Sequence, residues 1–291
     1  MTTKINLIDR TIVGCSSIIE AAARCGTSKP NQRHAKTVEY VRNKPEWDGI
    51  TLFTDKCIHE VDSVKSKVKA GIILESWVLD PNAYRAAYAF KDKYDVIFTY
   101  NPQLLSEDPD KFVFCPSDTV CIDSDSMKMH EKSKLVSMTY SNKTFLPGHA
   151  QRHEVVDKVV PSVKTEVDLF GAGTGQRLEM KSDALRDYMF SIEIENAPLP
   201  NYFTEKLLDC FITGTVPIYW GAPNIDEFFN PEGIICFSSL SELQSILSDL
   251  SEEQYEKMLP SVKENFDLAM KDYAHIDDYV LSEINKRFIL G

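Results

Sequence analysis

The chain has 291 residues, 43% of them hydrophobic, which is enough to build the cores of two domains or of one large domain. It carries 32 Lys and Arg against 44 Asp and Glu, a formal net charge of −12, which argues against a general nucleic-acid surface. A local basic pocket for phosphate stays compatible with this charge, because net charge says nothing about a single pocket.

The first half of the chain alternates short apolar runs with segments of helical periodicity. Such alternation predicts an α/β fold with a mostly parallel sheet. We predict strands at Lys4–Leu7, Ile50–Thr54, Ala70–Leu74, Val96–Tyr100 and Phe112–Phe114, and helices at Ile18–Cys25, Lys36–Arg42 and Asn82–Lys93.

A second series of the same kind follows. Its predicted strands are Lys134–Tyr140, Val167–Phe170, Phe190–Ile194 and Val216–Tyr219. Its predicted helices are Gln151–Val160, Ala184–Tyr188, Thr204–Thr213, Leu240–Leu247, Glu252–Tyr273 and Asp277–Phe288, with Pro260 expected to kink or split the longest. The polar, unpatterned residues 126–133 predict a boundary, so we expect one domain at 1–130 and a second, with the C-terminal helices, at 131–291.

The N-terminus and the cysteines bear on where the protein works. Residues 1–10 are too short and too charged for a secretory signal, and no apolar run approaches the roughly 20 residues that a membrane-spanning helix needs. The seven cysteines are scattered without a Cys-x-x-Cys pair, so we expect reduced thiols. These observations predict a soluble, cytoplasmic protein, and its oligomeric state does not follow from them.

A dense set of polar residues lies between two apolar runs in the segment 188–221. Glu195 and Asn196 follow the first run, where a strand is expected to end. Thr204 then occupies the position of a helix N-cap, with an acid and a lysine in the first turn. Parallel sheets bind ligands at the carboxyl ends of their strands, so this segment is predicted to form one wall of an active site.

The order and spacing of these residues resemble the C-terminal signature of family 10 glycosyltransferases, the α-1,3/4-fucosyltransferases. The resemblance rests on Glu195-Asn196, Tyr202-x-Thr204-Glu205-Lys206, Gly214 and Val216-Pro-Ile-Tyr-Trp-Gly221, and continues through Pro223, Phe229-Asn-Pro231 and Ile234. It implies a GT-B fold, in which two facing Rossmann-like domains flank a cleft, the first binding the acceptor and the second the nucleotide sugar. Many members carry a membrane anchor. Because no such apolar segment is seen in this sequence, we expect it to resemble a soluble bacterial or viral type.

Lys206 and Glu205 are the first candidates for binding the donor. A lysine at a helix N-terminus combines a positive charge with unpaired backbone N–H groups, which suits phosphate. In the resembled family, the lysine at the position of Lys206 contacts the donor diphosphate and the glutamate at the position of Glu205 lies by the donor sugar. Outside this motif, both would be ordinary first-turn residues.

Further donor contacts are implied for Arg152, Ser141 and Asn142, which resemble the Ser-Asn strand end of the family and its downstream arginine. The planar guanidinium holds two phosphate oxygens at once, although a surface helix arginine is the alternative. Asn196 offers donors and an acceptor for sugar or nucleotide hydroxyls. Tyr202 offers an aromatic wall and a hydroxyl, and the alternative is a core tyrosine.

Glu75 is the candidate general base, because it follows a buried strand of the first domain and resembles the catalytic glutamate of the family. The residues around it differ from the family's common Gly-Glu-Asn pattern. Asp80 is the nearest competitor for this role, but it precedes Pro81 and is more typical of a turn. Trp77 is a candidate for stacking on an acceptor sugar, whereas Trp220 is expected to pack in the core.

The glycine-rich Gly171-Ala-Gly173-Thr-Gly175 lacks the third glycine spacing of a dinucleotide fingerprint, so we predict that it lets backbone approach the nucleotide. Asp123-Ser-Asp125 matches the Asp-x-Asp of metal-dependent transferases, but so short a match arises readily by chance, and enzymes of the resembled fold ordinarily use no metal. We therefore expect no cofactor, with GDP-fucose as donor substrate.

The sequence thus predicts an inverting transfer of fucose from GDP-fucose to a hydroxyl of a glycan acceptor. Glu75 would act as base, and Lys206 and Arg152 would stabilise the departing GDP. The alternatives are a transferase of the same fold that uses another nucleotide sugar, and a non-catalytic glycan-binding protein. The acceptor and the linkage cannot be read from these residues.

Overall fold

The computed structural model describes residues 2–10 and 37–288. The described residues form two compact units, the first made of 2–10, 37–119 and 275–288 and the second of 120–274. The sequence-based division at residue 130 differs from this grouping at both ends of the second unit. The predicted helix Ile18–Cys25 lies outside the described residues.

The first unit is built on a six-stranded parallel sheet with the order β2-β1-β3-β4-β5-β6. Its strands are β1 Thr3–Ile8, β2 Val38–Arg42, β3 Glu46–Thr54, β4 Lys65–Ile72, β5 Val96–Thr99 and β6 Phe112–Phe114. The helices are α1 Pro81–Phe90, α2 Pro102–Glu107 and, from the end of the chain, α7 Ile276–Arg287, with a 3-10 helix at Asp55–Ser63.

Local signals explain where these helices begin. Asp80 and Asn101 cap α1 and α2 with their side-chain oxygens, and a proline occupies the first turn of each helix. The apolar face of α7, which includes Val280 and Ile284, packs into the core formed by the sheet. Asp80, which the sequence predicts as a turn residue, is instead the N-cap of α1.

The second unit has a five-stranded parallel sheet with the order β11-β10-β9-β7-β8. Its strands are β7 Lys134–Thr139, β8 Val167–Phe170, β9 Tyr188–Ile194, β10 Val216–Trp220 and β11 Ile235–Cys236. The helices are α3 Pro147–Glu154, α4 Glu205–Thr213, α5 Leu240–Asp249 and α6 Glu252–Leu268, with π-helical turns at Val155–Val159 and Ala269–Tyr273. Two parallel sheets with helices confirm the predicted α/β class.

Two predicted helices are wrong. Residues 38–42 of the predicted helix Lys36–Arg42 form β2, because the alternating Val38-Glu-Tyr-Val-Arg pairs along β1 as an edge strand. The predicted helix Ala184–Tyr188 is instead a 3-10 helix at Lys181–Ala184 followed by a turn. Tyr188 already belongs to β9, whose seven residues are all buried between β7 and β10. Pro260 lies inside α6 without splitting it.

None of the helices in the described ranges is long and apolar enough to cross a membrane. The five cysteines in the described ranges form no disulfide there, and four of them are buried while Cys236 is exposed. That they are reduced stays a prediction.

Gly214 ends α4 with a left-handed backbone, φ 73°, and a Cβ there would lie 3.0 Å from the Met129 side chain. We expect Gly214→Ala to lower the free energy of unfolding by at least about 1–2 kcal/mol, the cost of this backbone conformation for a residue with a Cβ. Gly175→Ala is the matched control, because φ is 84° there and nothing lies within 4 Å. Urea unfolding should show the larger loss for Gly214→Ala, and equal losses would contradict the crowding at Met129.

Candidate functional site

The motif residues lie at the carboxyl edge of the second sheet. β9 ends at Ile194 and continues directly into Glu195 and Asn196, while β7 ends at Thr139, shortly before Ser141. The loops after these strands lead into α3 and α4. Because parallel strands share one direction, their carboxyl ends and the helix N-termini that follow lie at the same edge.

Gly148 brings the first turn of α3 against the end of β9. Its N–H donates a 3.0 Å hydrogen bond to the carbonyl of Asn196. A Cβ at this position would lie 1.7 Å from the carbonyl oxygen of Glu195, so no larger residue fits without moving the backbone. The glycine therefore sets how closely α3 approaches the loop that carries Glu195 and Asn196.

The Glu195 carboxylate is fully buried and braces the loop between β9 and α4. It accepts hydrogen bonds from the Thr204 backbone N–H at 2.8 Å and from the Thr204 hydroxyl at 2.8–3.0 Å. The Thr204 oxygen in turn accepts from the Lys206 N–H at 3.4 Å, which is the cap of α4 that the sequence predicts. One buried carboxylate thus fixes the start of this helix.

Lys206 lies among acceptors at the N-terminus of α4. Its Nζ is 2.9 Å from the Thr204 hydroxyl, 3.1 Å from a Glu205 carboxylate oxygen and 3.4 Å from one of Glu195. Burial lowers the pKa of Lys206, but the two carboxylates outweigh burial and hold the pKa above its ordinary value. The side chain keeps 18% of its surface exposed, so a positive charge is presented at the edge of the sheet.

Lys181 and Asp209 extend the set of buried charges around α4 beyond Glu205 and Lys206. Lys181 Nζ lies 2.7 Å from Asp209 and 3.7 Å from Glu205. Asp209 also accepts the Cys121 N–H at 2.7 Å, and burial raises its pKa to about 6 despite Lys181. Burial likewise raises the pKa of Glu205, but Lys206 and Lys181 outweigh it and hold this pKa well below the ordinary value.

Arg152 is buried against the end of β9. Its Nε donates to the Ile194 carbonyl at 3.0 Å, and Nη2 donates to the same carbonyl and, at 3.3 Å, to the Asn196 side-chain oxygen. Among the described residues, no group accepts from Nη1. Arg152 therefore orients Asn196 and keeps one nitrogen unused.

The remaining predicted donor residues differ in exposure. Tyr202 is buried, whereas Ser141 is half-buried and Asn142 is exposed in the loop before α3. His149 is buried beside them with no hydrogen-bond partner for Nδ1 in the described part of the chain. Burial, followed by the charge of Arg152, lowers the His149 pKa to about 4, so the ring is neutral near pH 7.

The candidate base lies in the first unit. Glu75 is exposed, three residues beyond the end of β4, and its backbone is held on both sides. The Asp55 carboxylate accepts the N–H groups of Leu74 at 2.8 Å and Glu75 at 3.1 Å, and the Glu75 carbonyl accepts the Tyr84 hydroxyl at 2.7 Å. The loop is thus fixed while the Glu75 side chain reaches solvent.

Trp77 follows two residues later and is 51% exposed, next to the exposed Val78 and Leu79. Its backbone N–H donates to the Tyr100 hydroxyl at 3.2 Å. The indole is therefore a surface group, and its role in stacking on an acceptor stays a prediction.

The Asp123-Ser-Asp125 motif and the glycine-rich segment 171–175 have structural roles. Asp123 accepts the Ser126 N–H at 3.2 Å and caps a short 3-10 helix. Gly171 and Gly175 have positive φ, and Gly173 packs against the Tyr140 ring. No group of three or more His, Cys, Asp or Glu that could hold a metal ion occurs within the described ranges.

Sequence reasoning missed Lys181, Asp209 and Asp55. Asp209 is four residues after Glu205 on a predicted helix, so the spacing alone places both carboxylates on one face and indicates a cation between them. Lys181 lies 24 residues before Glu205 in a segment without a motif, and Asp55 has only its place after a strand. Neither carries a signal that a single sequence reveals.

The fold and the family follow from comparisons with known proteins. A solved α1,3-fucosyltransferase, crystallised with GDP-fucose, has a similar fold, with a TM-score of 0.55 and 17% identity over 95% of this chain and 93% of that one. The predicted GT-B fold class is thereby confirmed. This likeness defines a glycosyltransferase-type α/β fold.

The chain belongs to glycosyltransferase family 10 (fucosyltransferase), whose C-terminal sequence model matches residues 129–279. Similar curated proteins include the α-(1,3)-fucosyltransferase FucT of Helicobacter pylori, 36% identical over 61 residues, and an α-(1,4)-fucosyltransferase of Arabidopsis thaliana, 37% identical over 73 residues. These matches cover 21% and 24% of this chain but only 13% and 18% of those relatives. The family resemblance seen in the sequence is confirmed.

Asp55 gives a prediction on pH. Burial raises its pKa to about 7, whereas the unfolded value is about 4, so between these pH values the folded state holds a proton that the unfolded state has lost. Stability therefore falls as pH rises through this window. Asp55→Asn keeps the acceptor oxygen and removes the titration, so its stability relative to wild type should increase from pH 4 to pH 7 and then level off.

Urea unfolding of both proteins across this range measures the effect. Asp62→Asn, an exposed carboxylate at the end of the same 3-10 helix, is the control and should show no such trend. Parallel stability curves for wild type and Asp55→Asn would contradict the buried position of this carboxyl group.

Proposed function

We propose that this protein is an inverting fucosyltransferase that moves fucose from GDP-fucose to a hydroxyl of a glycan acceptor. The observation that carries the proposal is the pair of cations at the edge of the second sheet, where Arg152 from α3 contacts Asn196 and Lys206 at the start of α4 contacts the adjacent Glu195. Membership in the family, and the GDP-fucose bound to a solved protein of similar fold, support this choice of donor.

The cations at this edge are best suited to stabilising the leaving diphosphate. When the bond from the sugar to the diphosphate breaks, negative charge grows on the phosphate oxygens. The Lys206 side chain is partly exposed, and its two carboxylate partners keep the ammonium group protonated. Nη1 of Arg152 supplies a second cationic donor, fixed in place by the bonds of Nε and Nη2 to Ile194.

Asn196, Tyr202 and Glu205 are proposed to contact the donor sugar or nucleotide, with Ser141 and Asn142 on the loop after β7. Arg152 orients the Asn196 amide by donating a hydrogen bond to its oxygen. The amide N–H groups can then donate to a hydroxyl of the sugar or nucleotide. Glu205 is ionised, so it stabilises positive charge on the anomeric carbon in an oxocarbenium-like transition state. Tyr202 is buried, so it acts mainly as a wall of the pocket.

Glu75 is proposed as the general base, and Trp77 as a stacking surface for the acceptor sugar. The carboxylate takes the proton of the attacking hydroxyl while the sugar's bond to the diphosphate breaks on the opposite face. One such displacement inverts the anomeric configuration. The hydrogen bonds from the backbone to Asp55 and from Tyr84 hold the Glu75 loop still, which favours a defined position of the base.

The direct test is release of GDP from GDP-fucose in the presence of a panel of glycan acceptors. Donor choice is read from a parallel panel of nucleotide sugars in thermal-shift assays, because a ligand that binds the folded state raises the melting temperature. We expect the largest shift and the turnover with GDP-fucose. Turnover with another nucleotide sugar would support the same-fold alternative, and glycan binding without GDP affinity would support a non-catalytic protein.

Glu75→Gln tests the base. It keeps the size of the side chain and removes its basicity, so we expect turnover to fall by about 100-fold or more with GDP affinity unchanged. Glu46→Gln, an exposed position on β3 of the same unit, is the control and should keep full turnover. If Glu75→Gln retains turnover with an unchanged pH profile, Glu75 is not the base.

A further inference from the structure

Lys181 is a buried cation that no part of the proposed reaction uses. It lies in the 3-10 helix Lys181–Ala184 before β9, and only 10% of its side chain is exposed. Its Nζ reaches two carboxylates of α4, Asp209 at 2.7 Å and Glu205 at 3.7 Å. A lysine is rarely buried to this degree unless its charge is paired.

The side chains around α4 form a row of alternating charge. Asp209 and Glu205 are four residues apart and share one face of the helix, with Lys181 between them. Glu205 is shared in turn by Lys181 and Lys206, and Lys206 by Glu205 and Glu195. Each inner member of the row therefore contacts two partners of opposite charge.

We propose that Lys181 is a positioning residue that keeps Glu205 ionised and oriented when Lys206 turns to the donor's diphosphate. The inference rests on the proposed function and deepens it. It assigns a role to a residue that never touches the donor and acts through Glu205.

Glu205 shares its two cations with other acceptors. A diphosphate at the N-terminus of α4 competes with Glu205 and Glu195 for the Lys206 ammonium. Glu205 is buried, and a buried carboxylate without a cation takes up a proton. Lys181 is not expected to move to the phosphate, because its Nζ lies 2.7 Å from Asp209 and Glu205 lies between Lys181 and Lys206. It therefore remains the cation of Glu205 while the donor is bound.

Other titratable groups surround Glu205 and enter its protonation. Those that interact with it directly are Lys206, Lys181, Asp209 and Arg152. Those that interact with these four partners are Glu193, Glu195, Tyr202, Cys121 and Cys210. Burial raises the pKa of Glu193 to about 7, and its oxygen accepts the Ser191 hydroxyl at 2.8 Å. The pKa of Glu205 is lowered by the charges of Lys206 and Lys181 and by hydrogen bonds with Lys206 and the Thr204 hydroxyl.

The experiment compares two variants that differ only at residue 181. Asp209→Asn removes the anchor's charge, keeps the oxygen that accepts from Cys121 and retains Lys181. Lys181→Met/Asp209→Asn removes both charges of the pair, so that no new unpaired carboxylate is left at residue 209. Lys181→Gln/Asp209→Asn, which keeps a polar group at residue 181, is the second choice if the methionine variant does not fold.

The primary readout is the pH titration of Glu205, followed by NMR of protein labelled at the glutamate carboxyl carbons. The Glu205 signal is identified by its loss in Glu205→Gln. We expect wild type and Asp209→Asn to titrate below the ordinary range of about 4.3, and both double variants to titrate at least about one pH unit higher, as expected when an opposite charge is removed.

If the double variants titrate where Asp209→Asn does, Lys181 does not keep Glu205 ionised and the inference is overturned. The same holds if Asp209→Asn alone raises the titration as far as the double variants do, because the effect then belongs to Asp209. Lys257→Met/Glu253→Gln, which removes an exposed pair on α6, is the matched control and should leave Glu205 unchanged.

Turnover gives the second readout. In the pH profile of kcat, which reports ionisations in the donor-bound enzyme, the acidic limb of Lys181→Met/Asp209→Asn should lie at higher pH than that of Asp209→Asn. An unmoved limb would overturn the link to the donor, because a purely structural loss lowers activity equally at every pH. If wild type releases no GDP from GDP-fucose, the proposed function fails, and the NMR titration still decides whether Lys181 acts on Glu205.

Discussion

The second unit depends on the pairing of buried charges at the N-terminus of α4. A carboxylate taken out of water is costly unless it is paired and hydrogen-bonded, and loss of one partner of a buried pair typically costs about 3–5 kcal/mol. Glu195 meets both conditions through Thr204 and Lys206, and Glu205 lies between two lysines. The positions of α4 and of the end of β9 are therefore coupled by charge as well as by packing.

This coupling explains why so many constraints converge on a short stretch of chain. Gly148 leaves space for the carbonyl of Glu195, and Arg152 binds the carbonyl of the preceding Ile194. Both come from α3, so this helix cannot shift without moving the loop after β9. A site built in this way holds its cations in place before a ligand arrives, and such preorganisation is the main source of electrostatic stabilisation in enzymes.

Sequence alone predicted much of this arrangement, because the determinants are local. The Thr204 cap, the helix that follows and the strand before Glu195 are encoded in adjacent residues. The α/β class follows from the alternation of apolar runs with helical segments. The order of the strands, in contrast, depends on pairings between distant segments, and it was not predicted.

The two wrongly predicted helices and the missed site residues also have physical explanations. Residues 38–42 alternate over too few positions to distinguish an edge strand from a short helix without knowledge of β1. Residues 184–188 contain a turn because Tyr188 already belongs to a strand that is buried between two neighbours. Lys181 acts through contacts with the carboxylates of Glu205 and Asp209, and Asp55 acts through contacts with the backbone N–H groups of Leu74 and Glu75. Folding alone brings these groups near one another. Only the pair of carboxylates at residues 205 and 209 had a spacing from which a buried cation could have been inferred.

The central claim is that the Lys206 ammonium is held ready for a diphosphate. Calorimetric titration of the wild-type protein with GDP, GMP and guanosine tests it most directly. The β-phosphate should increase affinity about tenfold or more over GMP, equivalent to about 1.4 kcal/mol, and Lys206→Gln should lose most of this increment while Lys257→Gln keeps it. Equal affinities for GDP and GMP in the wild-type protein would contradict the claim.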